Sequence, residues 1–246
     1  MKGRSMNSSP PQIPVQPAPF EYDLPNLAEA IEAASSVKIV ALGSSTTAGE
    51  GGIVAYPYRL EAVLRDKYAN PRIDVINRGV GGEEAPKERD RLDRDVIAEK
   101  PRLVIWQLGT NAVWQSKQDN PPSHDETIAA LRQGIRRFRD ERSIDIILMD
   151  PQYVPAMLTP VSRAATDRMV SAIADVSRAD QVNLFRRFEL MKGWHEVENI
   201  SFDRIVDPGD NTRLHDSDWT TRRLTEVLAN LILARVPKPS PSSAIT

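Results

Sequence analysis

Four hydroxyl-bearing residues stand side by side in Gly43-Ser44-Ser45-Thr46-Thr47-Ala48-Gly49. A Gly-Ser-Thr-rich run of this kind can cradle a phosphate at a helix N-terminus, or it can simply cap a turn. The phosphate use is disfavoured. No Lys follows Gly49; Glu50 stands there instead, and its carboxylate would repel an anion. The glycine spacing does not match a dinucleotide fingerprint either. Three further small or polar clusters occur: Asn77-Arg78-Gly79-Val80-Gly81-Gly82, Gly109-Thr110-Asn111, and Leu214-His215-Asp216. The three histidines, His124, His195 and His215, are scattered and form no His-x-x-x-His pair, so no metal signature is present. With no cysteine in the chain, disulfides, thiolate catalysis and cysteine-based metal sites are excluded.

The elements around these clusters alternate. Short apolar runs predict strands over Val37–Leu42, Ile73–Ile76, Leu103–Leu108, Ile144–Met149 and, more weakly, Val182–Phe185. Helical spacing is found over Tyr58–Tyr68, Lys87–Ala98, Thr127–Glu141, Ser162–Val176 and Trp219–Arg235, the last with Asp216, Ser217 or Asp218 available as its cap. Continuous apolar strands separated by helices predict a parallel sheet of about five strands with helices on both faces. In such an α/β sandwich, ligands bind beyond the carboxyl ends of the strands. The first three clusters each follow a strand, and His215 precedes the last helix.

The chain of 246 residues fits one domain. It is 40% hydrophobic and 27% charged with a net charge of -2. Lys and Arg are dispersed, so nothing points to nucleic acid, and no run approaches the length that spans a bilayer. Residues 1–24 carry Pro10, Pro11, Pro14, Pro17 and Pro19 and read as a disordered tail, as does 237–246; the domain is expected over 25–236. No apolar stretch follows Lys2 and Arg4, so no signal peptide is visible, and an exported location stays open.

Taken together, the four clusters resemble the four blocks of the SGNH (GDSL-like) hydrolase superfamily, in order and across residues 37–235. Glycine and asparagine after the second and third strands, in NRGVGG and LGTNAVW, are its most distinctive parts, and Met149–Pro155 (MDPQYVP) looks like a fourth-strand exit from a bacterial branch of the family. The resemblance implies a flavodoxin-like fold and a serine esterase that needs no cofactor or metal. It places the nucleophile at Ser45, the base at His215, and the oxyanion donors at Ser45, Gly82 and Asn111. A serine hydroxyl is a poor nucleophile near neutral pH and needs a base to take its proton, which an imidazole can do. The oxyanion formed at the attacked carbonyl needs fixed donors. The expected substrate is a carboxylic ester: a small acyl ester, an acylated carbohydrate or a lipid.

The sequence departs from the family at three positions. Ser44 replaces the usual Asp of the first block and is read as a structural turn residue. Ala112 follows Asn111 where the family has Asp. Thr212 occupies the slot three before His215 where the family has its acid. Asp210 is expected to orient His215 instead, with Asp207, a backbone carbonyl or water as alternatives. An incomplete triad would favour another reading, a catalytically weak binding module for acylated glycans. Glu83 and Glu84 are expected to cap the next helix or border the site, and Trp114 to line a pocket.

Overall fold

The computed structural model describes residues 17–114 and 121–238. Along the chain run α1 (Pro25–Glu32), β1 (Val37–Gly43), α2 (Ser45–Ala48), α3 (Tyr56–Tyr68), β2 (Ile73–Gly79), α4 (Ala85–Asp90), α5 (Leu92–Asp95), β3 (Leu103–Gln107), α6 (Thr110–Val113) and α7 (His124–Asp140). There follow β4 (Asp145–Met149), α8 (Arg163–Ala179), β5 (Asn183–Phe185), α9 (Arg187–Glu196), α10 (Phe202–Ile205) and α11 (Asp218–Arg235).

The five strands pair in parallel in the order β2-β1-β3-β4-β5. This is the flavodoxin-like order, which reverses direction at β1 and β3. β3 and β4 are buried at every residue, as strands covered on both faces must be. Trp106 turns to one face, where it meets Phe138 of α7 edge-on at 5.8 Å. Its neighbour Gln107 turns to the other face, as strand alternation requires. α4, α7 and α8 cover the Trp106 face, and α3 and α11 pack together over the opposite one.

Two sequence expectations change. The helix predicted over 87–98 is broken into α4, α5 and a short 3-10 turn, Ile97–Glu99. The break falls at Arg91, whose buried guanidinium turns inward to Glu83, Asp95 and the Arg78 carbonyl. The tail over 1–24 lies mostly outside the described residues, as does 239–246, but its last part packs on the domain. Phe20 and Leu24 are buried, and the Tyr22 N–H donates to Asn183. The folded layer therefore starts before residue 25. Leu27 N–H and the Asn26 amide tie α1 to Asp145 at the start of β4. Ser217 caps α11 by accepting from Thr220 N–H. At α7 the cap is Ser123, in a reciprocal box with Glu126, and His124 is only the first helical residue.

Candidate active site

Ser45 opens α2, two residues past the end of β1, and is buried. The turn that carries it is held by Gln107 at the end of the neighbouring strand β3. Gln107 Oε1 accepts from Ser44 N (3.1 Å), Ser44 Oγ (3.2 Å) and Thr47 Oγ1 (3.2 Å). Ser44 is thus a turn residue whose hydroxyl donates to Gln107. α2 is a single turn, too short for much helix dipole, so what it offers near Ser45 is the backbone N–H groups of a first helical turn.

His215 reaches Ser45 from the loop before α11. His215 Nε2 lies 3.0 Å from Ser45 Oγ, and His215 Nδ1 lies 2.9 Å from Asp210 Oδ2. Thr212, in the expected acid slot, instead donates to Asp210: its N–H at 2.9 Å and its hydroxyl at 2.5 Å, both to Oδ1. Leu214 N and His215 N add two bonds of 2.8 Å to Oδ2. The chain from 210 to 215 therefore wraps around one carboxylate. Partial burial opposes the Asp210 charge, but the bonds from Thr212, His215 and Leu214 outweigh it and hold the carboxyl well below its usual range. Asp207, the alternative acid, is used by its own turn, where it accepts from Gly209 N–H.

The β2 and β3 exits meet beside this turn. Val80 N donates to Gly43 O at 2.9 Å, and a Cβ on Gly79 would lie 2.2 Å from Ala48 N, so the NRGVGG loop sits directly against the serine turn. Gly82 has φ +76°, a conformation that favours glycine, while a Cβ there would meet nothing within 4 Å. The reason for glycine at 82 is its dihedral rather than close approach. Asn111, in the first turn of α6, is buried, and its amide donates to Glu83 O at 3.0 Å. An amide carries a second N–H.

Glu84 joins these two loops. It caps α4, as one expectation had it, and its carboxylate also accepts from Gly109 N (3.1 Å) and Asn111 N (2.7 Å). Below it, Glu88 accepts from Trp106 Nε1 at 2.6 Å. Burial pushes the Glu88 carboxyl well above the usual carboxylate range, and the neighbouring Glu84 adds to this. A second buried tie comes from the MDPQYVP stretch. Gln152 accepts from Thr110 Oγ1 (2.9 Å) and from Arg187 Nη2 (2.9 Å), and donates to Leu214 O (3.1 Å). It links the residue before Asn111 to the residue before His215. Sequence reasoning missed Gln107, Gln152 and Arg187 as positioning groups, and saw Glu84 as a cap or a residue bordering the site but not as an acceptor for Gly109 and Asn111. The advance signal for Gln107 and Arg187 was polar character beside apolar strands, while Gln152 stands within the MDPQYVP stretch.

The remaining sites are peripheral. His195 Nδ1 pairs with Ile200 O at 2.9 Å, and its ring stacks on Phe202. Trp114 is half-buried and packs on the core. Among the described residues no group of three or more His, Asp or Glu is arranged to hold a metal ion, and no helix is long and apolar enough to cross a membrane.

A family model described as the non-GDSL lipase-like family matches residues 10–238. The chain belongs to that family. Ser44, standing where a GDSL motif has its Asp, agrees with the first half of that description. The chain is 29% identical over 195 residues to an acetylxylan esterase from Geobacillus stearothermophilus, covering 70% of this chain and 86% of that protein. Solved structures share the fold. A lipase/acylhydrolase from Enterococcus faecalis superposes with a TM-score of 0.67 at 23% identity, over 83% of this chain and 99% of that one. A catalytic mutant of an acetylxylan esterase from Geobacillus stearothermophilus gives 0.64 at 20% identity, over 83% and 96%. This member of the non-GDSL lipase-like family is a carboxylic ester hydrolase with a flavodoxin-like sandwich fold.

Proposed function

We propose that Ser45, His215 and Asp210 are the catalytic triad of this hydrolase, with Ser45 N–H, Gly82 N–H and the Asn111 amide as oxyanion donors, and that its substrates are acetylated carbohydrates. The observation that carries this reading is the Ser45 Oγ–His215 Nε2–Asp210 relay, with links of 3.0 and 2.9 Å. His215 Nε2 takes the proton as Ser45 Oγ attacks the ester carbonyl. Asp210 holds Nδ1–H, which leaves Nε2 free of its proton in the resting state and stabilises the imidazolium once it forms. The tetrahedral intermediate collapses with transfer of the Nε2 proton to the departing alcohol. Water, activated by the same imidazole, then releases the acid from the acyl-enzyme. Each oxyanion donor is worth roughly 3–4 kcal/mol of barrier.

The binding-module alternative rested on Thr212 in the acid slot. A carboxylate bonded to Nδ1 removes that ground for it. The likeness to an acetylxylan esterase supports an acetyl group on a sugar. The test is acetate release from acetylated xylo-oligosaccharides and hydrolysis of 4-nitrophenyl esters. Ser45→Ala is expected to lower kcat/KM at least ~10⁴-fold, and wild type to prefer acetate over octanoate. Equal rates in wild type and Ser45→Ala would overturn the triad; a preference for octanoate would overturn the acyl assignment.

A further inference from the structure

Glu50 is the residue that argued against a phosphate loop in the sequence, and the triad leaves it unused. It follows α2 and Gly49, and its side chain extends across the mouth of the site. Its Oε2 lies 3.8 Å from His215 Nε2. Its Oε1 rests on Gly81, where a Cβ would fall 1.8 Å from that oxygen. The carboxylate therefore spans from the base to the loop that carries Gly82. Next to it, Asp207 Oδ2 would stand 3.0 Å from a Cβ on Gly51. Among the described residues neither Glu50 nor Asp207 is paired with a Lys or Arg. This side of the mouth is acidic and uncompensated.

The leaving alcohol must pass here. Its oxygen receives the proton that His215 Nε2 took from Ser45, so it comes within hydrogen-bond distance of Nε2. Glu50 Oε2 is already beside that atom. The substituents next to the departing oxygen are then within a few ångströms of a half-exposed carboxylate that can only accept hydrogen bonds. A neutral polyol can donate a neighbouring hydroxyl to it. An alcohol bearing its own carboxylate, sulfate or phosphate is repelled.

We propose that Glu50 is a specificity-determining residue for the leaving alcohol, admitting neutral hydroxyl-bearing alcohols and rejecting anionic ones. The inference rests on the triad assigned above. Gly81 belongs to the same device, because any side chain there would displace the carboxylate.

The experiment uses two acetyl esters of matched shape, O-acetylglycolamide and O-acetylglycolate, which differ in one charge on the alcohol. The readout is the ratio of their kcat/KM values, neutral over anionic, so that differences in intrinsic reactivity cancel between enzymes. Glu50→Gln is expected to lower that ratio about fivefold or more relative to wild type, and added salt to narrow the wild-type ratio by screening. Glu50→Asp keeps the charge but withdraws it from Gly81 by one methylene. It is expected to lower the ratio about twofold, and it supplies the answer if Glu50→Gln is too slow to measure. A ratio that stays at the wild-type value in both variants, with Ser45→Ala inactive, overturns the role of Glu50 and leaves the triad standing. Full activity in Ser45→Ala overturns the triad and this inference with it.

Discussion

Replacing Asp210 by Asn tests the relay at its most informative point. Elsewhere, an Asp-to-Asn change beside a catalytic histidine can cost about 10⁴ in kcat, because the amide donates to Nδ1 and imposes the wrong tautomer. Here the surroundings of Asp210 decide the amide's orientation. Three N–H groups converge on Oδ2, from Leu214, His215 and the imidazole itself, at 2.8, 2.8 and 2.9 Å. Only Thr212 addresses Oδ1. If the NH₂ of the introduced amide faced His215, two backbone donors would oppose it, each left unsatisfied at about 1–3 kcal/mol. If it faced Thr212, one backbone donor would oppose it and the Thr212 hydroxyl would turn to accept. The amide carbonyl therefore stays on the imidazole, and Nε2 remains free to accept from Ser45.

What the variant loses is charge. At 2.9 Å and an effective dielectric of about 20, the bare attraction between carboxylate and imidazolium is about 6 kcal/mol, and because a charge-assisted bond is roughly twice as strong as the neutral amide bond that replaces it, the net loss is about 3 kcal/mol. That is about a 10²-fold loss in kcat, two decades milder than the tautomer-inverted case. Asp210→Ala removes the acceptor for the backbone and side-chain donors of Thr212, Leu214 and His215 and should cost about 10³-fold or more, with a fall in Tm. The assay is kcat/KM on 4-nitrophenyl acetate, with Tm measured in parallel. A loss in Asp210→Asn as deep as that of Ser45→Ala would refute the orientation argument. A loss under about threefold would refute the electrostatic role of Asp210 altogether.

Two further outcomes follow from the buried polar groups. Burial raises the Asp150 carboxyl from its ordinary 3.8 to about 7, against the bond from Phe188 N–H and the nearby Arg187. Its folded-state pKa is raised, so its contribution to stability is complete below about pH 4 and is lost as pH rises through 7. Asp150→Asn escapes that loss. Its stability relative to wild type should therefore climb by a few kcal/mol between pH 4 and 8, at about 1.4 kcal/mol per tenfold change in the ionisation constant; urea unfolding at the two ends reads it, and a falling difference would contradict the assignment. Gln152→Met keeps the volume but strips the partners of Thr110, Arg187 and Leu214. It should cost about 2–4 kcal/mol of stability and lower kcat about tenfold with a smaller change in KM, because the Asn111 and His215 loops lose their shared tie; an unchanged kcat would confine Gln152 to stability.

What could be read in the sequence and what could not divide along the distance between partners. The strands were legible because each is a local run of buried aliphatic residues, and the clusters because a glycine- or hydroxyl-rich exit follows each run directly. Asp210 was harder to read. A sequence counts residues between acid and base, whereas the reach of a carboxylate depends on how the chain turns between them. Arg213 adopts φ +55°, and that turn brings Thr212, Leu214 and His215 back onto Asp210. A five-residue separation then brings the Asp210 carboxylate onto the His215 imidazole. Gln107, Glu84 and Gln152 could not be read at all as positioning groups, because their partners lie 63, 27 and 62 residues away. The same division separates the glycines. Gly82 is needed for its own dihedral, a local matter, while Gly79 is needed because Ala48 of α2 presses on it. The proposed reacting groups come from the exits of β1, β2 and β3 and from the loop before α11, and a layer of buried amides and carboxylates ties these segments together. Substitutions in that layer should therefore change kcat without touching Ser45, His215, Asp210, Gly82 or Asn111.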